Sequence, residues 1–130
     1  MALNLWRLGI IDFDNLRITQ ARKMLSQIDR DRLLNYAESY ANWGRLLLRI
    51  SFPSPEVVIA GEQGQSYYLQ LQRDFLPNTF WVWTKDNDRL PVFRERLVEG
   101  ETMVYVCENH TCQLPVNNVD DARRQLAAAF

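Results

Sequence analysis

The stretch Pro55-Glu56-Val57-Val58-Ile59-Ala60-Gly61 decides the fold, because it is a short, largely β-branched apolar run bounded by proline and glycine. Such a run is typical of a strand buried on both faces of a sheet, and a helical pattern follows it. A strand and helix in this order are how a parallel, helix-covered sheet usually begins. We therefore predict that a buried strand opens an α/β domain here.

Downstream of this strand, the periodicity predicts the order β-α-β-α-β-β-α for residues 53–130. The later elements are a helix carrying Tyr68, Leu71 and Phe75, a strand over 79–84, a turn over 85–88, a helix from Pro91 to Gly100, a strand over 102–107, a short strand over 112–114, and a helix carrying Val119, Ala122, Leu126 and Phe130. Pro115 confines the short strand to an edge, and Asn118 can cap the last helix. Because crossover connections join parallel strands, we predict a small, mostly parallel sheet of three to four strands with helices on both faces.

The residues before Pro53 predict a separate helical segment over 1–52. Residues 2–8 have the pattern of a helix whose end Gly9 would mark. Two further helices have apolar faces formed by Ile18, Ala21, Leu25 and Ile28, and by Leu33, Ala37, Tyr40, Gly44 and Leu47. The short link over 29–31 makes these two helices an antiparallel hairpin. Because the chain starts abruptly within a helix, we expect it to be part of a longer protein.

The composition excludes several classes of function. The 15 basic and 16 acidic residues leave a net charge of -1, so no overall field favours nucleic acid or an anionic membrane surface. No apolar run approaches the roughly 20 residues that a membrane helix needs, and the N-terminus lacks a secretory signal pattern. We therefore expect a cytoplasmic protein that binds neither nucleic acid nor membrane.

The turn between the third and fourth predicted strands holds the residue types with the most chemistry. Cys107 and Cys112 flank a turn that also contains Glu108 and His110. Two thiols and an imidazole could bind a metal, form a disulfide or take part in redox exchange, although zinc would need a fourth ligand from elsewhere. A redox pair would normally use the tighter C-x-x-C spacing. Packing of the two cysteines as small apolar residues is favoured, and the three chemical functions stay open.

No other cluster stands as a catalytic site on its residues alone. Four carboxylates fall at predicted helix starts and links, where capping explains them: Asp12, Asp14, Asp29 and Asp31. The loop over 61–65 follows a strand, but it lacks the lysine and hydroxyl of a phosphate-binding loop, and Glu62 would repel an anion. We predict no catalytic residue, no bound cofactor and no nucleotide for this chain.

Three stretches of the chain resemble one known family. They are Val57-Val58-Ile59-Ala60-Gly61, Phe75-Leu76-Pro77-Asn78 and, most specifically, Tyr105-Val106-Cys107-Glu108-Asn109-His110-Thr111-Cys112-Gln113-Leu114-Pro115. They resemble the C-terminal end of the thioredoxin-domain-containing, spermatogenesis-associated family, whose tail motif matches Cys107, Asn109, Cys112 and Pro115. The resemblance implies a long parent chain with a thioredoxin-like domain and an (α/α)6 barrel related to six-hairpin glycosidases and sugar epimerases. Residues 1–52 would then be late barrel helices.

The resemblance implies a function mainly by what it leaves out. The thioredoxin-like domain and most of the barrel have no counterpart in these 130 residues, so no catalytic residue and neither activity transfers. We expect a non-catalytic C-terminal module that packs against the rest of its parent polypeptide, or self-associates through the helices of residues 1–50. The alternative is a small thiol-redox or metal-binding protein that uses the turn at Cys107, His110 and Cys112.

Overall fold

The computed structural model describes residues 1–86 and 89–129, which form a mixed α/β structure. The chain divides into two compact units, Met1–Phe52 and Pro53–Phe130. Part of the predicted turn over 85–88, namely Asn87 and Asp88, lies outside the described residues, as does Phe130 of the predicted last helix. Within the described ranges, no helix is both long and apolar enough to cross a membrane.

The first unit consists of four α-helices. They are α1 (Ala2–Asp12), α2 (Asn15–Ser26), α3 (Arg30–Asn35) and α4 (Ala37–Ser51). The buried apolar side chains come mostly from α1, with one each from α2 and α4: Ala2, Leu3, Trp6, Ile10, Ala21 and Leu46. The carboxylates of Asp14 and Asp29 accept backbone N–H groups at the starts of α2 and α3. These two aspartates are therefore helix caps.

Two predictions for the helical unit are wrong. Gly9 does not follow the end of a helix, because α1 continues through Asp12 and ends at Phe13, whose backbone is left-handed with a φ of 55°. The helix predicted after the 29–31 link is also interrupted, since Tyr36 ends α3 and precedes α4. Helical periodicity continues through such a break because the apolar face is nearly preserved on both sides of it.

Gly9→Ala is expected to destabilise the helical unit by about 1–3 kcal/mol, because the added methyl group overpacks a close helix contact. A Cβ at position 9 would lie 2.6 Å from Cγ1 of Ile18 and 3.0 Å from the carbonyl oxygen of Asp14. Gly44→Ala in α4 is the matched control, since its Cβ would meet nothing within 4 Å. There alanine should stabilise by about 0.5–1 kcal/mol. Urea unfolding measures both, and equal stabilities of the two variants would contradict the prediction.

The second unit contains a four-stranded sheet, two α-helices and a short 3₁₀ turn. Its elements are β1 (Glu56–Ala60), α5 (Gly64–Leu71), β2 (Phe80–Thr84), the 3₁₀ turn Pro91–Phe93, β3 (Met103–Glu108), β4 (Thr111–Cys112) and α6 (Val119–Ala128). The strand order across the sheet is β2-β1-β3-β4. The prediction that the opening strand is buried on both faces is confirmed, because all five residues of β1 are buried at the centre of the sheet.

The prediction of a mostly parallel sheet is wrong. β1 is parallel to β2, but it is antiparallel to β3, and β3 is antiparallel to β4. Because β3 runs against β1, it begins at the end of the sheet where β2 stops. The connection between β2 and β3 therefore needs no helix-length return across the sheet. The helix predicted from Pro91 to Gly100 is accordingly a 3₁₀ turn followed by irregular chain.

The prediction that helices cover both faces of the sheet is also wrong. Both α5 and α6 pack on one face, over a single core that comprises Val57, Ile59, Leu71, Val104, Val106, Val119, Ala122 and Leu126. Since side chains alternate along a strand, Glu56 and Cys107 point away from that core. The 3₁₀ turn contacts β1 and buries Val92 and Phe93 outside the helix-covered core. Glu56 and Cys107 therefore lie on the face of the sheet opposite to α5 and α6.

Candidate functional site

The candidate site is built on the β-hairpin that joins β3 to β4, here called the cysteine hairpin (residues 107–112). Strand pairing extends to the residues next to the turn, so the turn itself consists of Asn109 and His110. Both residues have positive φ angles, 49° and 64°, as a type I′ turn requires. Asparagine and histidine are among the non-glycine residues that most often adopt this backbone. The turn fixes the register that places Cys107 opposite Cys112.

Cys107 and Cys112 form a disulfide bond across the hairpin. They occupy a non-hydrogen-bonded pair position, because the adjacent pair is joined by the bond from the Gln113 N–H to the Val106 carbonyl (2.9 Å). Side chains approach each other most closely at such positions. Cys107 is 3% exposed, whereas Cys112 is only partly buried. Cys112 is therefore the more accessible of the two cysteines.

A buried glutamate lies directly beside this disulfide. Glu56 of β1 is paired in register with Cys107, so the two side chains point to the same face of the sheet as immediate cross-strand neighbours. Glu56 is only 6% exposed. Its carboxylate accepts the backbone N–H of His110, and one of its oxygens, Oε2, lies 3.7 Å from Nδ1 of the same histidine. The turn of the hairpin therefore closes over the carboxyl group.

Burial raises the pKa of Glu56 to about 7. The hydrogen bond from His110 and the charge of Arg96 oppose that rise, and the Glu108 carboxylate adds to it. Burial, followed by the charge of Arg96, lowers the pKa of His110 below its usual 6.5. At neutral pH the glutamate is therefore divided between acid and carboxylate forms, while the imidazole is mainly neutral. Their contact is not a full ion pair at that pH.

An arginine brings a fixed positive charge to the more accessible sulfur. Nη2 of Arg96 lies 3.4 Å from Sγ of Cys112. The guanidinium stacks on the ring of Tyr105 at 5.1 Å from its centroid, and the Tyr105 hydroxyl donates to the Arg96 carbonyl oxygen (3.0 Å). Burial lowers the pKa of Arg96, but an arginine stays protonated in proteins. Nη1 is buried and has no hydrogen-bond partner among the described residues.

Arg96 reaches the hairpin because the chain after the 3₁₀ turn is irregular. Backbone bonds from Arg94 to Pro91 and from Arg96 to Phe93 form successive tight turns. Glu95 between them has a positive φ of 59°. A regular α-helix cannot contain this conformation. The same irregularity that overturns the predicted helix from Pro91 to Gly100 therefore positions the guanidinium.

The structure brings together three of the residues that the sequence singled out for chemistry, Cys107, His110 and Cys112. With the two sulfurs joined, neither is a thiolate ligand for a metal. Among the residues that the structure describes, no group of three or more His, Cys, Asp and Glu side chains is placed to hold a metal ion. Of the other two residues on which the family resemblance rests, Asn109 lies in the turn, and Pro115 lies beyond β4, outside the cluster.

Two residues of the site, Glu56 and Arg96, were missed by the sequence analysis. A signal for Glu56 was present, because a carboxylate inside an otherwise apolar, doubly buried strand must be protonated or hydrogen-bonded. No comparable signal existed for Arg96, which stands among other charged residues in a segment predicted as a helix. Its position depends on tertiary structure that periodicity does not describe.

A surface cavity adjoins the cysteine hairpin. Its volume is about 320 Å³, and it is lined by residues of both hairpin strands, including Cys107 and Cys112, and by Ala128 and Ala129 at the end of α6. Pockets that hold small molecules begin at about this size, roughly 300 Å³. The hairpin disulfide thus has a concave surface beside it.

The loop over 61–65 is a strand-to-helix connection. The N–H of Gly61 donates to the Thr84 carbonyl (3.0 Å), and the N–H of Gln63 donates to Oγ1 of Thr102 (2.9 Å). Glu62 pairs with Lys85 at 2.7 Å. These backbone donors already have protein acceptors, so the loop is unlike a phosphate-binding loop, whose N–H groups point at the ligand.

In comparisons with known proteins, no family model, no curated protein and no solved structure matches the chain.

Proposed function

We propose that the chain is a non-catalytic C-terminal module of a larger protein that contains a thioredoxin-like domain and an (α/α)6 barrel. The helices of Met1–Phe52 would pack against the rest of that polypeptide, and in its absence against a second copy of this chain. The observation that carries the proposal is the exposure of large apolar side chains on these helices. The expected cytoplasmic location is part of the same proposal and is tested by fractionation of the host cell.

The helical unit leaves more large apolar side chains exposed than it buries. Those exposed on the four helices and at their ends are Met1, Leu8, Phe13, Leu16, Leu34, Tyr36, Leu47, Leu48 and Phe52. Leu16 is 81% exposed and Leu48 is 52% exposed. Burying one leucine side chain contributes roughly 1.5–3 kcal/mol. Covering several of them gives a strong tendency to associate, which supports the proposed packing role.

A second candidate function, thiol-redox chemistry at the cysteine hairpin, is favoured by the disulfide between Cys107 and Cys112. In a reducing compartment, a disulfide that persists or cycles is usually catalytic or redox-sensing instead of structural. If the proposed cytoplasmic location is correct, this bond would therefore take part in exchange. The metal-binding form of this candidate would require the bond to be reduced first.

Sedimentation velocity of the isolated chain at micromolar concentration tests the packing role. We expect a dimer or a larger oligomer, because association would remove the exposed apolar side chains of the helices from water. Leu16→Glu and Leu48→Glu are expected to weaken the association at least about tenfold, since a charge at an apolar interface costs more than 1.4 kcal/mol. A monomer at this concentration would contradict the self-association.

The matched control lies in the second unit. Leu114 is 85% exposed, as accessible as any of the helical leucines, but it lies outside Met1–Phe52. Leu114→Glu is expected to leave the sedimentation coefficient unchanged. If it dissociates the oligomer as strongly as Leu48→Glu does, the interface is not the helical unit.

A further inference from the structure

We propose that the cysteine hairpin exchanges with a low-molecular-weight thiol, which attacks the sulfur of Cys112. Arg96 stabilises the Cys112 thiolate during this exchange, and Glu56 gives a proton to Cys107 as the disulfide opens. The inference rests on the second candidate function and assigns its residues and its substrate class.

Access decides which sulfur is attacked. Cys107 is buried on the inner strand β3, whereas Cys112 lies on the edge strand β4 and is partly exposed. Thiol–disulfide exchange requires direct contact between the attacking thiolate and one sulfur of the bond. Attack at Cys112 makes Cys107 the leaving group.

The leaving group then needs a proton because it is buried. A thiolate of Cys107 would be formed in a desolvated position, where an uncompensated charge is costly. Its immediate cross-strand neighbour is Glu56, whose pKa is raised to about 7 by burial. Transfer of that proton leaves a neutral thiol and a carboxylate that still accepts the His110 N–H. The charge is thereby moved onto the group that has a hydrogen-bond donor.

Arg96 serves the other sulfur. Its guanidinium already contacts Sγ of Cys112 at 3.4 Å, and its buried Nη1 has no partner among the described residues. A positive charge next to a cysteine favours the thiolate over the thiol. The stacking on Tyr105 holds the guanidinium in this position.

With glutathione as the thiol, the exchange takes place in two steps. One glutathione thiolate attacks Sγ of Cys112, the bond between the two cysteines breaks, and Cys107 leaves and takes the proton from Glu56. A second glutathione thiolate attacks the glutathione sulfur of the mixed disulfide and releases the Cys112 thiolate beside Arg96. Two glutathione molecules are oxidised to one disulfide, and the protein disulfide is reduced to two cysteines. Glutathione disulfide reverses the sequence.

The size of the adjoining cavity favours a small thiol over a protein. About 320 Å³ next to Cys112 accommodates part of a tripeptide-sized molecule. A protein thiol would instead have to reach Cys112 on an extended loop. We therefore use glutathione as the probe, with a protein dithiol as the competing substrate.

The first experiment asks whether exchange occurs. The oxidised full chain is incubated with mixtures of reduced and oxidised glutathione, trapped with acid and analysed by intact mass and peptide mapping. We expect a mixed disulfide at Cys112 and none at Cys107. A chain that stays fully oxidised at every glutathione ratio would overturn the second candidate function itself. Exchange with a protein dithiol but not with glutathione would overturn the substrate class, and a mixed disulfide at Cys107 would overturn the assignment of the attacked sulfur.

The second experiment tests the roles of Arg96 and Glu56 in a chain that does exchange. Arg96→Met is expected to slow alkylation of reduced Cys112 by iodoacetamide about tenfold at pH 7, because the thiolate loses one charge-assisted contact. Arg96→Lys is expected to restore most of the rate. Arg94→Met, an exposed site two residues away, is the control. In the wild type, the rate constant of the first exchange step, corrected for glutathione ionisation, is expected to decline as pH rises through about 7, because Glu56 loses its proton. Glu56→Gln is expected to slow this step and to remove that decline.

The outcomes separate this inference from the candidate function on which it rests. The titratable and charged groups that act on Glu56 are His110, Arg96 and Glu108. Tyr105 lies on the same face of β3 as Cys107, and its ring contacts Arg96. Circular dichroism measures whether each variant is folded. If Arg96→Met does not fold, the comparison of wild type with Arg96→Lys still tests the role of Arg96. Wild-type exchange that is unchanged by both Arg96→Met and Glu56→Gln would overturn the assigned roles while leaving the exchange itself intact.

Discussion

Gly61→Ala is expected to lower the free energy of unfolding of the second unit by about 3 kcal/mol or more, the largest effect of any single methyl group considered for this chain. Gly61 follows β1 directly and has a φ of 134°, a conformation that L side chains rarely adopt. A Cβ there would also lie 2.4 Å from the carbonyl oxygen of Glu101 and 2.6 Å from Cα of Thr102. Both atoms belong to the backbone immediately before β3, so neither can move away cheaply.

Gly100→Ala separates backbone strain from steric overlap. Gly100 also has a positive φ, 76°, but a Cβ there would meet nothing within 4 Å. Part of its strain is offset because alanine restricts the unfolded chain, so a net cost of about 1 kcal/mol or less is expected. Urea unfolding at constant m-value gives both numbers. Equal costs for the two variants would show that the close approach at Gly61 contributes little.

The sequence predicts the elements of the second unit better than it predicts their arrangement. β1, β2 and β3 lie within a residue or two of their predicted bounds, and Asn118 caps α6 through a bond to the Asp121 N–H (2.9 Å), as predicted. These features depend on local composition and on one side chain. Strand direction does not depend on local composition, because a strand with alternating apolar residues buries the same side chains whichever way it runs in the sheet. The periodicity of the sequence therefore could not predict that β3 runs antiparallel to β1.

The candidate site was predictable in part for the same reason. Cys107, His110 and Cys112 are neighbours along the chain, so a turn between two strands was enough to group them. Glu56 and Arg96 are 56 and 16 residues away from Cys112 along the chain. They join the site through strand register and an irregular loop. Charged residues of ordinary appearance become functional candidates only when tertiary structure buries them beside a reactive group.

The two proposals concern different units and can hold together. The exposed apolar side chains that support the packing role lie within Met1–Phe52, and the disulfide lies within Pro53–Phe130. A module that is non-catalytic toward the substrate of its parent protein can still carry a disulfide that responds to the thiol pool. The variants proposed for each role are confined to one unit, so a change in oligomeric state and a change in exchange rate report on separate surfaces.

The free energy of unfolding of the oxidised chain is expected to fall by about 3 kcal/mol between pH 4.5 and pH 8 on account of Glu56 alone. Its pKa is about 7 in the folded chain, against an ordinary value of 4.5. Because the folded pKa is raised, the stabilisation is complete below the unfolded pKa and is lost as pH rises through the folded pKa. His110 acts in the opposite direction, since its lowered pKa removes stability as pH falls.

Glu56→Gln isolates the contribution of the carboxyl group from that of the histidine. Glutamine keeps the shape of the side chain and an acceptor for the His110 N–H, but it cannot ionise. Between pH 4.5 and pH 8, the difference in free energy of unfolding between wild type and variant should therefore change by about 3 kcal/mol, in favour of the variant at high pH. Glu99→Gln, at an exposed position, should leave that difference flat. Urea unfolding at pH 4.5, 6, 7 and 8 gives the curves. A difference that is independent of pH would mean that folding does not raise the pKa of Glu56, so that its carboxyl group is ionised at neutral pH. The proton that the exchange mechanism assigns to Cys107 would then be missing.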